Sequence, residues 1–111
     1  MNSFPRTGDI IILDFDPQSG REIKKVRPAL VVSNDVFNRL TGLVMVCPIT
    51  STQRDFPLHV ALDKRTKTHG DIVCEQLKSL DYAARHWTWA EAAPDDILAA
   101  VLAILDNIVG R

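Results

Sequence analysis

The chain has 111 residues, of which 46% are hydrophobic, and its formal net charge at pH 7 is −1. This length predicts one domain, residues 1–111, with a core small enough that pairing with a second subunit would be unsurprising. The nearly balanced charge excludes a globally basic nucleic-acid binder, so any anion site must be local.

The targeting and cysteine patterns indicate a cytoplasmic protein. The chain has no apolar run of membrane-spanning length, and its first residues lack the apolar core of a signal peptide. Cys47 and Cys74 both lie within apolar runs, where packing as reduced, buried thiols is the ordinary role. We therefore expect no membrane association.

The first half of the chain alternates predicted strands with one charged loop. Residues 9–15 are β-branched, apolar and too few for a helix, so they predict a buried strand. Turn-forming residues follow at 16–20, and residues 21–27 hold one carboxylate and four cations. Pro28 restricts Arg27 to an extended conformation at the entrance of the next strand, residues 29–33.

A short helix and four more strands are predicted next. Residues 34–40 suit a helix capped by either Ser33 or Asn34. Pro48 in the strand predicted over residues 43–49 requires an edge position or a bulge. Further strands are expected at residues 59–62, 70–77 and 87–90.

Pro94, Asp95 and Asp96 begin the C-terminal helix, with carboxylates at its positive end. Its apolar positions cover more than one stripe: Ile97, Leu98, Val101, Leu102, Ile104, Leu105, Ile108 and Val109. One apolar face would pack on the sheet, and the other is available to another subunit.

The residues that remain after exclusions suit phosphodiester chemistry on RNA. No metal site is predicted, since His59, His69 and His86 are scattered and such lone histidines are usually surface or core residues. Glu22, Arg27 and Thr50 combine a carboxylate, a guanidinium and a hydroxyl. A base takes the proton of the 2′-OH, a cation stabilises the pentacoordinate phosphate, and an acid protonates the departing 5′ oxygen. The spacing of these residues alone is weak support for this chemistry.

A more specific pattern runs from Gly8 to the C-terminal helix. It comprises Gly8-Asp9-Ile10, Asp14-Phe15-Asp16-Pro17, Gly20-x-Glu22, Arg27-Pro28-Ala29-Leu30-Val31-Val32-Ser33, Pro48-Ile49-Thr50 and Glu75-Gln76-Leu77-Lys78-Ser79-Leu80-Asp81 with Arg85. In this order and spacing the motifs resemble the MazF family of toxin endoribonucleases.

The resemblance implies an α+β, mainly β fold: an SH3-like, CcdB/MazF-type β-barrel with a C-terminal helix, working as a homodimer. It implies metal-independent cleavage of single-stranded RNA to 2′,3′-cyclic phosphate and 5′-OH ends, with no cofactor, and neutralisation by a cognate antitoxin. Arg27 would be the catalytic cation, with the role of acid also open to it, Thr50 would bind the scissile phosphate, and Glu22 would accept the proton. RNA contacts are carried over to Phe15, Asp16, Pro17, Gln76, Lys78 and Ser79.

This chain departs from the Kid branch of the family, which has His at the position of Arg21, Arg at Val73 and Asp at Glu75. The Kid-type catalytic set is therefore absent. We expect Arg21, Lys24 and Lys25 to hold RNA backbone phosphates rather than to read bases.

Two other functions remain open at this point. A non-enzymatic, CcdB-like gyrase-inhibiting toxin has a similar fold, but lacks the Arg-Pro and Pro-x-Thr motifs and depends on an aromatic C-terminal end. A binding-only RNA module would need an exposed aromatic platform. For the toxin, the expected partner is an antitoxin whose acidic C-terminal segment lies over residues 21–27.

Overall fold

The computed structural model describes residues 4–15 and 26–110. In chain order the elements are β1 (Asp9–Asp14), β2 (Val26–Val31), α1 (Asp35–Thr41), β3 (Leu43–Thr50), β4 (His59–Ala61), β5 (Asp71–Val73), a 3-10 helix (Cys74–Gln76), β6 (Lys78–Asp81), β7 (Trp87–Ala92) and α2 (Asp95–Val109). The predicted mainly β, α+β fold with a C-terminal helix is confirmed. Within the described ranges no helix is long and apolar enough to cross a membrane.

The strands form one antiparallel sheet in the order β4-β5-β3-β2-β1-β7, with β6 also paired to β3. The end strands β4 and β7 do not pair with each other in the described part of the chain. The predicted barrel is therefore an open sheet, and the barrel description holds only loosely.

Strand β3 pairs with three other strands. One edge of β3 is paired with β2. The other edge is paired with β6 as far as Val46 and with β5 from Ile49 onward. From Val46 to Ile49, β3 moves along by three residues. The chain paired with this edge moves along by six residues, from Ile72 to Lys78. The extra residues form the 3-10 helix, so the single strand predicted over residues 70–77 is wrong.

Pro48 lies at this interruption, where β3 is locally an edge strand, so the edge alternative is the correct one. It is opposite Ala29 of β2, while on the other side of β3 no pairing is present at its level among the described residues. Because proline lacks an N–H group, it costs least where a ladder hydrogen bond is already missing.

Strand β2 begins three residues earlier than predicted. Arg27 pairs with Leu13 and Pro28 with Ile12, so both belong to the strand rather than to its entrance. The extended backbone that proline imposes on itself and on its predecessor is compatible with a strand. Arg27 is thus carried by a paired element.

The two faces of the sheet have separate apolar clusters. Helix α2 packs through Ile97, Val101 and Leu105 onto one face. That face consists of Ile10, Leu30, Cys47, Ile49 and Ile72, together with Leu62, Cys74 and Ala93. The opposite face contains Ile11, Leu13, Ala29, Val31, Val44 and Val46, covered by Phe4 and Tyr82. The period-2 alternation of strands produces this division.

Helix α1 is capped by Asn34, whose side chain accepts the N–H of Phe37 at 2.8 Å. Ser33 has a different role, because its hydroxyl accepts the N–H of Met45 at 2.9 Å and pairs with the side chain of Asn38. The fully buried Asn38 also donates to the carbonyl of Pro5 at 2.9 Å. This network attaches α1 to β3 and to the start of the chain.

An ion-pair cluster fixes the hairpin of β4 and β5 to the start of α2. Arg65 donates to Asp63 at 2.9 Å and to Asp96 at 2.8 Å. The Arg65 guanidinium lowers the pKa of the Asp63 carboxyl to about 2. All three side chains are exposed, so the cluster orients the loop more than it stabilises the fold.

Gly70 and Gly42 both have positive φ, +124° and +73°, but differ in surroundings. A Cβ on Gly70 would lie 1.8 Å from the Thr50 carbonyl oxygen, whereas nothing lies within 4 Å of one on Gly42. We predict that Gly42→Ala lowers the free energy of unfolding by about 1 kcal/mol, and Gly70→Ala by more than about 3 kcal/mol. Urea denaturation of both variants tests this, and equal losses would contradict it.

Candidate functional site

Strand register brings Arg27 and Thr50 together. Ala29 of β2 lies opposite Pro48 of β3, and two residues further along the same register Arg27 is opposite Thr50. Both side chains line one cleft of about 280 Å³. Because directly paired residues share a face of the sheet, the pair lies on the face opposite α2.

Strands β4 and β5 extend the same face. Thr50 pairs with Asp71, Ala61 also pairs with Asp71, and His59 pairs with Val73. The cleft is lined by Arg27, Pro48, Thr50, Thr52, Arg54, His59, Val73, Glu75 and Gln76. Four strands and the 3-10 helix therefore each contribute to a single concave surface.

A second depression of about 280 Å³ adjoins the first. It is lined by Arg27, Pro28, Ile49, Thr50, Ser51 and His69. The two cavities share Arg27 and Thr50, so this pair lies between two concave sites. A linear polymer crossing both cavities would pass over the guanidinium and the hydroxyl.

His59 is held between two carboxylates. Its Nε2 lies 3.1 Å from Oε2 of Glu75, and its Nδ1 lies 3.4 Å from Oδ2 of Asp71. The side chain of His59 is 9% exposed and that of Asp71 only 1%. The ring of Phe56 packs edge-on against the imidazole, with centroids 4.9 Å apart.

Asp71 also fixes the segment between β3 and β4. Its Oδ2 accepts the N–H of Arg54 at 2.8 Å. Gln53 donates from Nε2 to the carbonyls of Gly70 at 3.3 Å and Leu62 at 3.4 Å. The segment that carries Thr52 and Arg54 is thereby attached to the hairpin below the cleft.

Among the predicted site residues that the structure describes, three line this cleft: Arg27, Thr50 and Gln76. Lys78 and Ser79 lie on β6, exposed and outside both cavities. Phe15 follows β1 and packs, half-buried, against the cluster opposite α2. The predictions for Asp16, Pro17, Arg21, Glu22, Lys24 and Lys25 fall outside the described residues.

Arg85 attaches the segment after β6 to the end of β1. Its Nη1 donates to the carbonyls of Asp14 at 3.3 Å and Phe15 at 3.4 Å. Asp81 accepts the N–H of Ala84 at 3.2 Å. Arg85 therefore fixes the point where the chain leaves β1.

Sequence reasoning missed His59, Asp71, Glu75 and Arg54 as members of the cleft. The three histidines are scattered in the sequence, and lone histidines are usually surface or core residues. The strand predictions around His59 and Asp71 were the available signal, but the pairing register that joins them is not visible in either segment. His59 is 12 positions from Asp71 and 16 from Glu75 in the sequence, so their contacts leave no local sequence pattern.

The two thiols belong to the core. Cys47 and Cys74 are unpaired and fully buried against α2. Contact with the Cys74 thiol, together with burial, raises the pKa of Cys47. Within the described ranges, no group of three or more His, Cys, Asp or Glu side chains could hold a metal ion.

The antiparallel sheet with its C-terminal helix matches solved structures of MazF. MazF from Deinococcus radiodurans superimposes with a TM-score of 0.87 at 34% identity, covering 99% of this chain and 100% of that one. A MazE-MazF complex from the same organism matches with a TM-score of 0.85 at 31% identity, covering 98% of each chain.

Sequence comparison agrees with the structural match. Residues 6–109 match the family of PemK-like, MazF-like toxins of type II toxin-antitoxin systems. The endoribonuclease toxin MazF of Escherichia coli K12 is 31% identical over 106 residues, 96% of this chain and 95% of the relative. The endoribonuclease PemK of Escherichia coli is 35% identical over 106 residues, 92% of this chain and 80% of the relative. The chain belongs to this toxin family.

Proposed function

We propose that residues 1–111 act as a single toxin domain, a sequence-specific endoribonuclease that cleaves single-stranded mRNA and so inhibits translation and growth in the cytoplasm. The observation that carries this proposal is the placement of Arg27 and Thr50 side by side between two cavities. The relatives named as endoribonucleases support it.

Arg27 is suited to stabilise the pentacoordinate phosphate. Its guanidinium offers a planar fork of donors that matches phosphate oxygens, and it is exposed on a paired strand. No carboxylate in the described part of the chain forms an ion pair with it. A cation held where negative charge develops stabilises the transition state.

Thr50 supplies a second contact to the same phosphate. Its Oγ1 accepts the N–H of Thr52 at 3.4 Å, which leaves the hydroxyl proton available for a ligand. Because Thr50 is opposite Arg27 across paired strands, both can reach one phosphate group. Glu22 would take the proton of the 2′-OH, so the substrate supplies its own nucleophile and no metal or cofactor is needed.

The remaining RNA contacts follow from position and charge. Gln76 lines the cleft and can hydrogen-bond to a base edge, while Lys24 and Lys25 would hold backbone phosphates. Phe15, Asp16, Pro17, Lys78 and Ser79 would contact the RNA on either side. Inhibition of gyrase is not favoured, since relatives covering most of the chain are named endoribonucleases.

Cleavage of a long single-stranded RNA in EDTA tests the reaction. We expect cuts at one short sequence, with 2′,3′-cyclic phosphate and 5′-OH ends. Arg27→Ala should slow cleavage at least about 100-fold because it removes the main donor to the transition state. Thr50→Val should slow it markedly, whereas the matched Thr50→Ser variant retains the hydroxyl and most of the activity.

Thermal unfolding and RNA binding provide the controls for these variants. If the folded wild-type chain cuts no RNA, the nuclease function is wrong and gyrase inhibition becomes the function to assay. If Arg27→Ala cuts as fast as the wild type, the nuclease function stands but the assignment of the catalytic cation does not.

We propose a homodimer formed through the second apolar face of α2. Leu102 and Val109 lie one heptad apart on this face and are 42% and 69% exposed. Sedimentation velocity should give twice the chain mass, and Leu102→Glu should give the monomer, because a carboxylate in an apolar contact is not solvated. Asn107→Glu, on the opposite side of the helix, is the matched control. A monomeric wild type would rule out the dimer.

We propose that the antitoxin inhibits by occupying the RNA site with an acidic C-terminal segment. A structural relative is a MazE-MazF complex, which supports an antitoxin partner for this chain. The acidic segment would contact residues 21–27, so Arg27→Ala and Lys24→Ala/Lys25→Ala should weaken antitoxin binding and reduce its salt dependence. Lys64→Ala, beside the start of α2, is the control. Unchanged affinity in the first two variants would exclude the overlap.

A further inference from the structure

The reaction proposed above needs a proton for the departing 5′ oxygen. An alkoxide is a poor leaving group at neutral pH, so an acid must protonate it as the bond to phosphorus breaks. Arginine is badly suited to this task because its guanidinium remains protonated in proteins. Arg27 can stabilise charge, but another group in the cleft must give up the proton.

Few titratable side chains line the cleft within the described ranges. Arg27 and Arg54 are guanidinium groups, which leaves His59 and Glu75. Imidazole is the side chain that ordinarily changes charge within the physiological pH range. His59 is therefore the natural proton source among the cleft residues described.

Two carboxylates face the ring of His59. A neutral imidazole has one N–H and can donate to one carboxylate only, whereas an imidazolium can donate to both. Here Nε2 faces Glu75 at 3.1 Å and Nδ1 faces Asp71 at 3.4 Å. The Nδ1 contact is at ion-pair distance without hydrogen-bond geometry, so the ring has a close partner only on the cleft side.

The other charged groups around His59 come from three elements and one connecting segment. Asp71 belongs to β5 and Glu75 to the 3-10 helix, while the guanidinium groups of Arg54 and Arg27 line the same cleft from the segment after β3 and from β2. Asp71 is nearly inaccessible to solvent and Glu75 is 35% exposed toward the cleft. The three side chains thus run from the sheet interior to the cleft surface.

Resting on the proposed nuclease function, we propose that the Asp71–His59–Glu75 series delivers the proton to the 5′ oxygen. The 2′ oxygen attacks phosphorus as its proton passes to Glu22. The bond from phosphorus to the 5′ oxygen breaks as the proton on His59 Nε2 passes to the Glu75 carboxylate and from that carboxyl group to the 5′ oxygen. Solvent exchange then returns a proton to His59 and removes one from Glu22, so the cycle balances without a co-reactant.

RNA with a sulfur atom in place of the 5′ bridging oxygen at the mapped cut site tests this role. A thiolate leaves without protonation, so losing the acid should matter only for the oxygen linkage. We expect His59→Gln to slow cleavage of the oxygen linkage about 100-fold and that of the sulfur linkage less than about threefold. Glu75→Gln, at a more exposed site, should give the same pattern.

The controls separate this inference from the function on which it rests. Arg27→Ala should be slow on both linkages, and His86→Gln, an exposed histidine after β6, should match the wild type. The wild-type rate on the oxygen linkage should fall at rising pH, and this fall should be absent in His59→Gln. If His59→Gln slows both linkages equally, or neither, the inference fails; if the wild type cleaves neither, the nuclease function itself fails.

Discussion

The interruption in the pairing of β3 is the constraint on which the site depends. Along one edge β3 passes from β6 to β5 while its partner makes a turn of 3-10 helix, and Pro48 lies at this level. The turn places Glu75 and Gln76 over the sheet surface beside Thr50. A continuous ladder would leave no such projection, because strand side chains alternate strictly between the two faces.

The two faces of the sheet differ in role, since one packs against α2 and the other carries the cleft. One face buries α2 against apolar strand residues, and this burial of apolar surface stabilises the fold. The other face is apolar beneath Phe4 and Tyr82 but becomes polar toward β4 and β5. A buried carboxylate such as Asp71 is costly unless it is paired, and here the hydrogen bond from the N–H of Arg54 offsets part of that cost.

Sequence patterns predicted the elements whose signals are local. Each of these signals depends only on residues a few positions away: the β-branched run of β1, the Asn34 cap of α1 and the acidic first turn of α2. The strand predicted over residues 70–77 was wrong because its apolar pattern continues through the 3-10 helix, where Cys74 is still buried. The interruption depends on β3, about 25 positions earlier in the chain.

The sequence by itself determined the family through its motifs and singled out Arg27 and Thr50 as candidate site residues, since each lies in a short, characteristic run of residues. Only the tertiary structure decided that these two lie between adjoining cavities and that His59 lies between Asp71 and Glu75. The physical reason is that strand register couples residues across hydrogen-bonded neighbours. A shift of one position would turn His59 to the opposite face, and nothing in either strand alone specifies which register forms.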